Sequence, residues 1–242
     1  MRISRLFTDQ PLEPGTEVTL DADSSRYATR VLRLRNGDAV VLFNGDGWDY
    51  AAELVVPKKD AVGIRVTARL PAVPESPLDL VLVQAVSRGE RMDQSLQKAT
   101  ELGVAAVRPL WTERVEVRLD GARLDKRMAH WLGVLRAASA QSGRGRVPEL
   151  HPPTDLASWL ESPARGLRLA LVPGADRALS ALDPVGGPVS VLVGPEGGFS
   201  DAEWQACERA GVLGVSMGPR ILRTETAGPA ALAVLQSLFG DA

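Results

Sequence analysis

The chain has 242 residues, 45% of them apolar and 24% charged, with a formal net charge of −2 at pH 7. That length allows one large domain or two small ones, and the composition is ordinary for a globular chain and argues against disorder. No apolar run approaches the roughly 18 residues of a membrane span. The mixed segment from Met1 to Pro14 lacks the apolar stretch of a secretory signal. One cysteine, Cys207, rules out an internal disulfide framework, so a reduced, cytoplasmic setting is expected. Two histidines, His130 and His151, leave little for a metal centre, and no metal is expected.

Short strands separated by glycine turns open the chain: Val18–Leu20, Ala39–Asn44, Trp48–Val56 and Val62–Leu70. A helix is expected over Ser24–Leu34. This pattern predicts a small β-barrel. Three prolines between Pro71 and Pro77 then favour extended, poorly packed chain, and the domain boundary is drawn there, giving 1–73 and 74–242. Beyond it strands alternate with helices. Strands are expected at Leu78–Val86, Val104–Leu110, Leu167–Val172, Val189–Val193 and Gly214–Met217. Helices are expected at Glu90–Leu102, Leu124–Ser142, Asp201–Ala210 and Gly228–Leu238. Such alternation predicts an α/β layer with a mostly parallel sheet.

Three of these strands end in glycine-bearing loops: Leu171-Val172-Pro173-Gly174, Gly194-Pro195-Glu196-Gly197-Gly198, and Met217-Gly218-Pro219-Arg220. Ligands of open α/β sheets bind beyond the carboxyl ends of strands. Each loop alone reads as a turn, but three in succession point to a pocket. The middle loop runs into Ser200 and Glu203, which have capping-box spacing. The signatures of a P-loop, a dinucleotide fold and a hydrolase elbow are absent. A metal-free pocket of backbone turns suits a nucleoside-like ligand. After the third loop, Arg223-Thr224-Glu225-Thr226 leads into an Ala-rich helix. Thr224 or Thr226 suits its N-cap, and Glu225 suits its dipole. Arg223 stands at the unfavourable positive end and calls for an anionic partner such as Glu196, Glu225 or a phosphate.

The segment Gly194 to Ser200, followed by Gly218 to Ala227, resembles the RsmE family of SPOUT methyltransferases, which methylate N3 of a uridine in small-subunit ribosomal RNA. Val31–Asp38, Leu42–Gly45, Arg88–Gly103, Glu113-Arg114 and Gln141–Arg144 match further family motifs, so the likeness covers nearly the whole chain. Two positions depart from it. Ala140 stands where the family usually has Glu, and Asn44 where it often has Asp.

The resemblance implies a PUA-like RNA-binding β-barrel domain over 1–73 and a SPOUT α/β domain with a deep trefoil knot over 74–242. It implies S-adenosylmethionine as cofactor, a homodimer, and 16S ribosomal RNA or the small ribosomal subunit as partner. The cofactor-binding residues implied are Leu171, Val172, Pro173, Gly194, Pro195, Glu196, Gly197, Gly198, Met217, Gly218, Ile221, Leu222, Thr224, Thr226 and Ala227. Arg223 is expected to stabilise a uridinate and Glu225 to handle its proton. RNA contacts are expected from Arg5, Arg26, Arg30, Arg33, Arg88, Arg91, Lys98, Arg114 and Arg144. Arg26, Arg30 and Arg33 would share one helix face. Trp48 is the one tryptophan considered for RNA; Trp111, Trp131, Trp159 and Trp204 are expected to pack. The alternatives are a related enzyme acting on transfer RNA, or a non-catalytic RNA-binding dimer.

Overall fold

The computed structural model describes residues 3–58, 61–116, 118–184 and 186–242. The chain divides into two compact units: Met1–Glu75 with Arg136–Val147, and Ser76–Leu135 with Pro148–Ala242.

The first unit is built on β1 (Ser4–Phe7), β2 (Glu17–Thr19), β3 (Ala39–Phe43), β4 (Trp48–Lys58) and β5 (Ala61–Pro71). They pair in the order β1-β3-β4-β5-β2, antiparallel except for β1 beside β3. Period-two alternation brings Val40 and Leu42, Tyr50, Ala52 and Leu54, and Val62, Ile64 and Val66 into one core with Leu6, Val18 and Ala28. No pairing joins β1 to β2 among the described residues, so hydrogen bonds do not close the expected barrel. Pro11 and Pro14 lie between them and have no N–H to give to a ladder.

The helix expected over 24–34 is also broken. It is α-helical only over α1 (Ala22–Arg26), which passes into a π-helical turn at Tyr27–Val31. There the Leu32 N–H reaches back to the Tyr27 carbonyl at 3.0 Å. Arg33 follows in the left-handed region, with φ 55°. The wider turn and the reversed φ take Arg33 off any α-helical face shared with Arg26 and Arg30.

Residues Arg136–Val147 complete the first unit. Arg5 donates to the carbonyls of Ser139, Ala140 and Arg144 at 2.9, 3.3 and 3.1 Å, and pairs with Asp49 at 2.5 Å. The Arg136 guanidinium lies 4.2 Å from the Phe7 ring centroid.

The second unit holds a parallel sheet of β6 (Leu80–Ala85), β7 (Ala106–Trp111), β8 (Glu149–Leu150), β10 (Leu167–Leu171), β11 (Val189–Val193) and β12 (Leu213–Val215). Its order is β12-β10-β11-β6-β7-β8, with the short β9 (Thr154–Asp155) also beside β7. The helices are α2 (Glu90–Glu101), α3 (Gly121–Ser142, counted with this unit only as far as Leu135), α4 (Leu156–Glu161), α5 (Asp201–Arg209) and α6 (Thr224–Phe239). Val83, Leu110, Ala170 and Leu192 form one core with Leu156 and Trp159 of α4 and Cys207 of α5. On α6, Gly228 lies so close to the sheet that a Cβ there would meet Leu82 at 3.2 Å and Val193 at 3.5 Å. Helices therefore pack against the sheet through residues that alternate along its strands, as a parallel sheet requires.

The short strands β8 and β9 were not expected, and two helices also differ from expectation. The helix α6 begins at Thr224, four residues before the expected start at Gly228. Pro229 removes only the bond that its missing N–H would give the Glu225 carbonyl, and the helix runs through it. The helix α4 was not expected; its six residues are too few to show a helical period.

Candidate functional site

The strands β12, β10 and β11 are neighbours in the sheet, so their three glycine loops lie side by side at its carboxyl edge. They enclose a cavity of about 640 Å³, within the ~300–1,000 Å³ usual for small-molecule sites.

The loop after β11 is held from several sides. The Gly198 N–H bonds the Pro195 carbonyl at 2.9 Å, closing a turn, and the chain leaves it through a φ of +69° at Gly198 that glycine adopts readily. Ser200 and Glu203 form the expected capping box: the Glu203 N–H donates to Ser200 Oγ at 3.2 Å, and the Ser200 N–H to Glu203 Oε2 at 2.9 Å. The other carboxylate oxygen of the buried Glu203 accepts the Glu113 N–H at 2.8 Å, tying the loop to the segment after β7. The Gly197 carbonyl accepts from Arg114 at 2.6 Å. At Gly194 a Cβ would stand 3.1 Å from the Phe199 ring, so the bare backbone lets that ring close against the strand end.

The third loop ends at Arg223, the N-cap of α6, whose side chain makes no capping bond. Neither Thr224 nor Thr226 is the cap. Thr224 is the first helical residue and is buried; its hydroxyl donates to the Gly194 carbonyl at 3.1 Å and accepts from Gln84 Nε2 at 2.9 Å. Arg223 is exposed and has no ion pair among the described residues. Of the anionic partners expected for it, Glu196 instead takes Arg91, at 2.8 Å. The bond to Glu196, with the charges of Glu196 and Glu225, raises the Arg91 guanidinium above its ordinary value.

Arg223 and Glu225 both face the cavity. So do all the expected cofactor residues except Gly197, which is pressed against Arg114, and Thr226, which is exposed on the first turn of α6. Sequence reasoning missed several lining residues, among them Val193, Phe199, Trp204 and Val215. Trp204 was expected only to pack. It does pack, its ring edge 2.9 Å from where a Gly214 Cβ would stand, and it also walls the cavity. The signal was its place one turn into the helix that follows the middle loop.

The expected RNA-contacting cations divide by their surroundings. Arg5 and Arg144 are spent inside the first unit. Arg5 bonds three carbonyls and Asp49, and the buried Arg144 forks onto Glu75. Phosphate contact is corrected to an internal role for both, because their charges are already compensated. Arg26 pairs with Asp23, Arg88 with Glu116 and Lys98 with Glu101 on the surface. Arg114 braces the middle loop and Arg91 lines the cavity. Arg30 and Arg33 are exposed, and no ion pair is found for either among the described residues. His130 contacts Asp93 at 2.7 Å and His151 contacts Glu149 at 3.3 Å. No group of three or more metal-ligating side chains occurs among the described residues. No helix among them is long and apolar enough to cross a membrane.

Residues 74–236 match the family described as RNA methyltransferase domain, and residues 20–67 match RNA methyltransferase PUA domain. Ribosomal RNA small subunit methyltransferase E of Buchnera aphidicola is 30% identical over 241 residues, covering 99% of this chain and 98% of the relative. The protein of that name from Mycobacterium bovis is 32% identical over 233 residues, 93% of this chain and 88% of its own. The chain belongs to the ribosomal RNA small subunit methyltransferase E family. Two members of the same fold were solved with S-adenosylmethionine bound. A Legionella pneumophila protein is 38% identical with a TM-score of 0.96, covering 100% of both chains. The Neisseria gonorrhoeae ribosomal RNA small subunit methyltransferase E is 36% identical with a TM-score of 0.91, covering 99% of both.

The cavity of this family member fits such a cofactor on its own geometry. Val172, Val193, Phe199 and Trp204 supply apolar walls for a ring, and the turns at Gly194 and Gly218 expose backbone to its edges. Glu225 stands on the wall where a positive ligand gains from it, while the charge of Glu196 is met by Arg91.

Proposed function

We propose that this chain transfers a methyl group from S-adenosylmethionine to N3 of a uridine in small-subunit ribosomal RNA. The observation that carries this reading is the convergence of three strand-end loops on one cavity, beside an arginine, Arg223, with no ion pair among the described residues.

S-adenosylmethionine supplies a methyl group already activated by its sulfonium, so the chain need provide no electrophile of its own. What remains is positioning and charge. Uridine N3 carries a weakly acidic proton, and its lone pair is shared with the flanking carbonyls. The nucleophile is therefore made by removing that proton. Glu225, in the first turn of α6, accepts it. Arg223, at the N-terminus of the same helix, faces the developing uridinate with a charge that no carboxylate among the described residues neutralises.

The same reading gives the second unit its knot. α6 follows the edge strand β12 yet packs against α2, β6 and β11 and against the turn Leu179–Ala181 of the β10–β11 connection. A helix flanked in this way supports passage of the C-terminal segment through that connection, a rare exception to ordinary chain topology. The chain acts as a homodimer; the exposed Ile221, 82% accessible beside the cavity, supports an apolar partner surface there. Domain 1–73 binds RNA and domain 74–242 carries the transfer. The substrate sets the compartment as the cytoplasm.

The test is incubation with methyl-labelled S-adenosylmethionine and small subunits that lack the modification, then mapping of the labelled base. Label at N3 of one uridine of the small-subunit RNA is expected. Label in transfer RNA instead, or in no RNA, contradicts the proposal.

A further inference from the structure

We propose that Trp48, Arg69 and Arg146 form a stacking platform for an unpaired base of the RNA, on the first unit. This rests on RNA as the substrate class. It adds a site beyond the cofactor cavity and beyond the cations first expected to meet phosphate.

The platform is built by tight convergence of three segments. Gly47 closes the turn before β4 with φ +95°, and its N–H bonds the Gly145 carbonyl at 3.2 Å. A Cβ on Gly145 would stand 2.5 Å from Ala72 Cβ, and a Cβ on Gly47 would stand 3.2 Å from Arg146 Nη2. Bare glycine backbone at both points therefore lets the guanidinium lie across the turn next to Trp48. On the neighbouring strand, the Arg69 guanidinium sits 4.3 Å from the Trp48 ring centroid.

Trp48 is nevertheless 40% exposed, so it is not consumed as core. Asp46, the carboxylate of this turn, is occupied: it accepts the Trp48 N–H at 2.9 Å and the Tyr50 hydroxyl at 2.7 Å. Neither Arg69 nor Arg146 has an ion pair among the described residues, whereas Arg5 and Arg144 of the same unit do. An exposed indole with the Arg69 guanidinium against its ring, and the Arg146 guanidinium on the adjoining Gly47 turn, is the chemistry that recognises single-stranded nucleic acid. The rings stack on a base, and the cations follow the backbone. A duplex keeps its bases paired and offers no free face to the indole.

The experiment uses the full-length protein and a short fluorescein-labelled polyuridine strand, with a duplex of equal length as control. Trp48→Ala is expected to weaken strand binding about tenfold, as the loss of one base–aromatic stack does, and to leave duplex binding unchanged. Trp48→Phe keeps a stacking face and is expected to stay within about threefold of wild type. Arg69→Ala and Arg146→Ala each lower the salt dependence by about one ion. Affinity for S-adenosylhomocysteine is unchanged in all four. Unchanged strand affinity in Trp48→Ala, or an equal loss in Trp48→Phe, overturns the platform. So does a wild-type protein that binds the cofactor product but no strand. A wild type without affinity for S-adenosylhomocysteine overturns the reading of the cavity instead.

Discussion

Gln84 on β6 holds Thr224, the first residue of α6, by a bond of 2.9 Å from its buried amide to the threonine hydroxyl. The hydroxyl in turn donates a hydrogen bond to the Gly194 carbonyl, 3.1 Å away. A chain of two hydrogen bonds thus links the end of one strand, the glycine loop of the next and the helix that carries Glu225. Gln84 Oε1 has no donor among the described residues, so the position tolerates a costly buried acceptor.

Gln84→Leu and Thr224→Val are each expected to weaken S-adenosylhomocysteine binding about tenfold, or ~1.4 kcal/mol. The double variant loses little more than either single, since both remove the same link. Calorimetric titration of the three variants checks this. Additive losses would separate the two residues.

Arg223→Ala is expected to lower the single-turnover methylation rate by ~10²–10³, and Glu225→Gln by about 10². S-adenosylhomocysteine affinity stays within about threefold of wild type for both. Rapid-quench measurement with saturating cofactor isolates the chemical step. Wild-type rates in both variants would remove these residues from the reaction.

Arg144 pairs with Glu75 inside the first unit, its side chain 9% exposed. Removing one partner of a buried pair leaves the other charge uncompensated, so Arg144→Ala is expected to cost about 3 kcal/mol. In a chain of this length that lowers the melting temperature by roughly 10 °C. The salt dependence of RNA binding should not move, and a reduced slope with unchanged melting would restore Arg144 to phosphate contact.

Burial pushes the Cys207 thiol up to about 11, with the charges of Glu203 and Glu208 adding to it. The unfolded thiol ionises near its ordinary value of 9.0, so above that pH the unfolded state binds fewer protons than the native one. The contribution of Cys207 to stability is therefore complete below pH 9 and falls as pH rises toward 11. Native protein at pH 8 is expected to resist a disulfide thiol reagent that reacts at once in denaturant. Equal rates in the two conditions would mean an accessible thiolate.

The strands and loops of the second unit were legible in the sequence because local chemistry fixes them. Val189–Val193 is an apolar run of strand length, and Ser200 with Glu203 fixes the start of α5 by a bond within one turn. What escaped notice depends on partners distant in the chain. Nothing local to Arg5 announces that its guanidinium meets carbonyls of Ser139 and Ala140, or that Asp49 lies beside it. Trp204 reads as a packing residue in the sequence and Phe199 carries no expectation; each does pack on a glycine, and only the fold shows that the same rings wall a cavity. The break after Arg26 was equally hidden, since arginines at helical spacing look alike whether the turn is α or π.

The most direct test of the account is calorimetric titration of S-adenosylhomocysteine into the wild-type chain and into Gly198→Val. The substitution forces a β-branched residue into a φ of +69° at the mouth of the middle loop. One site per chain in the wild type, lost in Gly198→Val while the melting temperature stays close, is the predicted result. No binding by the wild type, or equal binding by both proteins, would contradict the claim that these backbone turns hold the methyl donor.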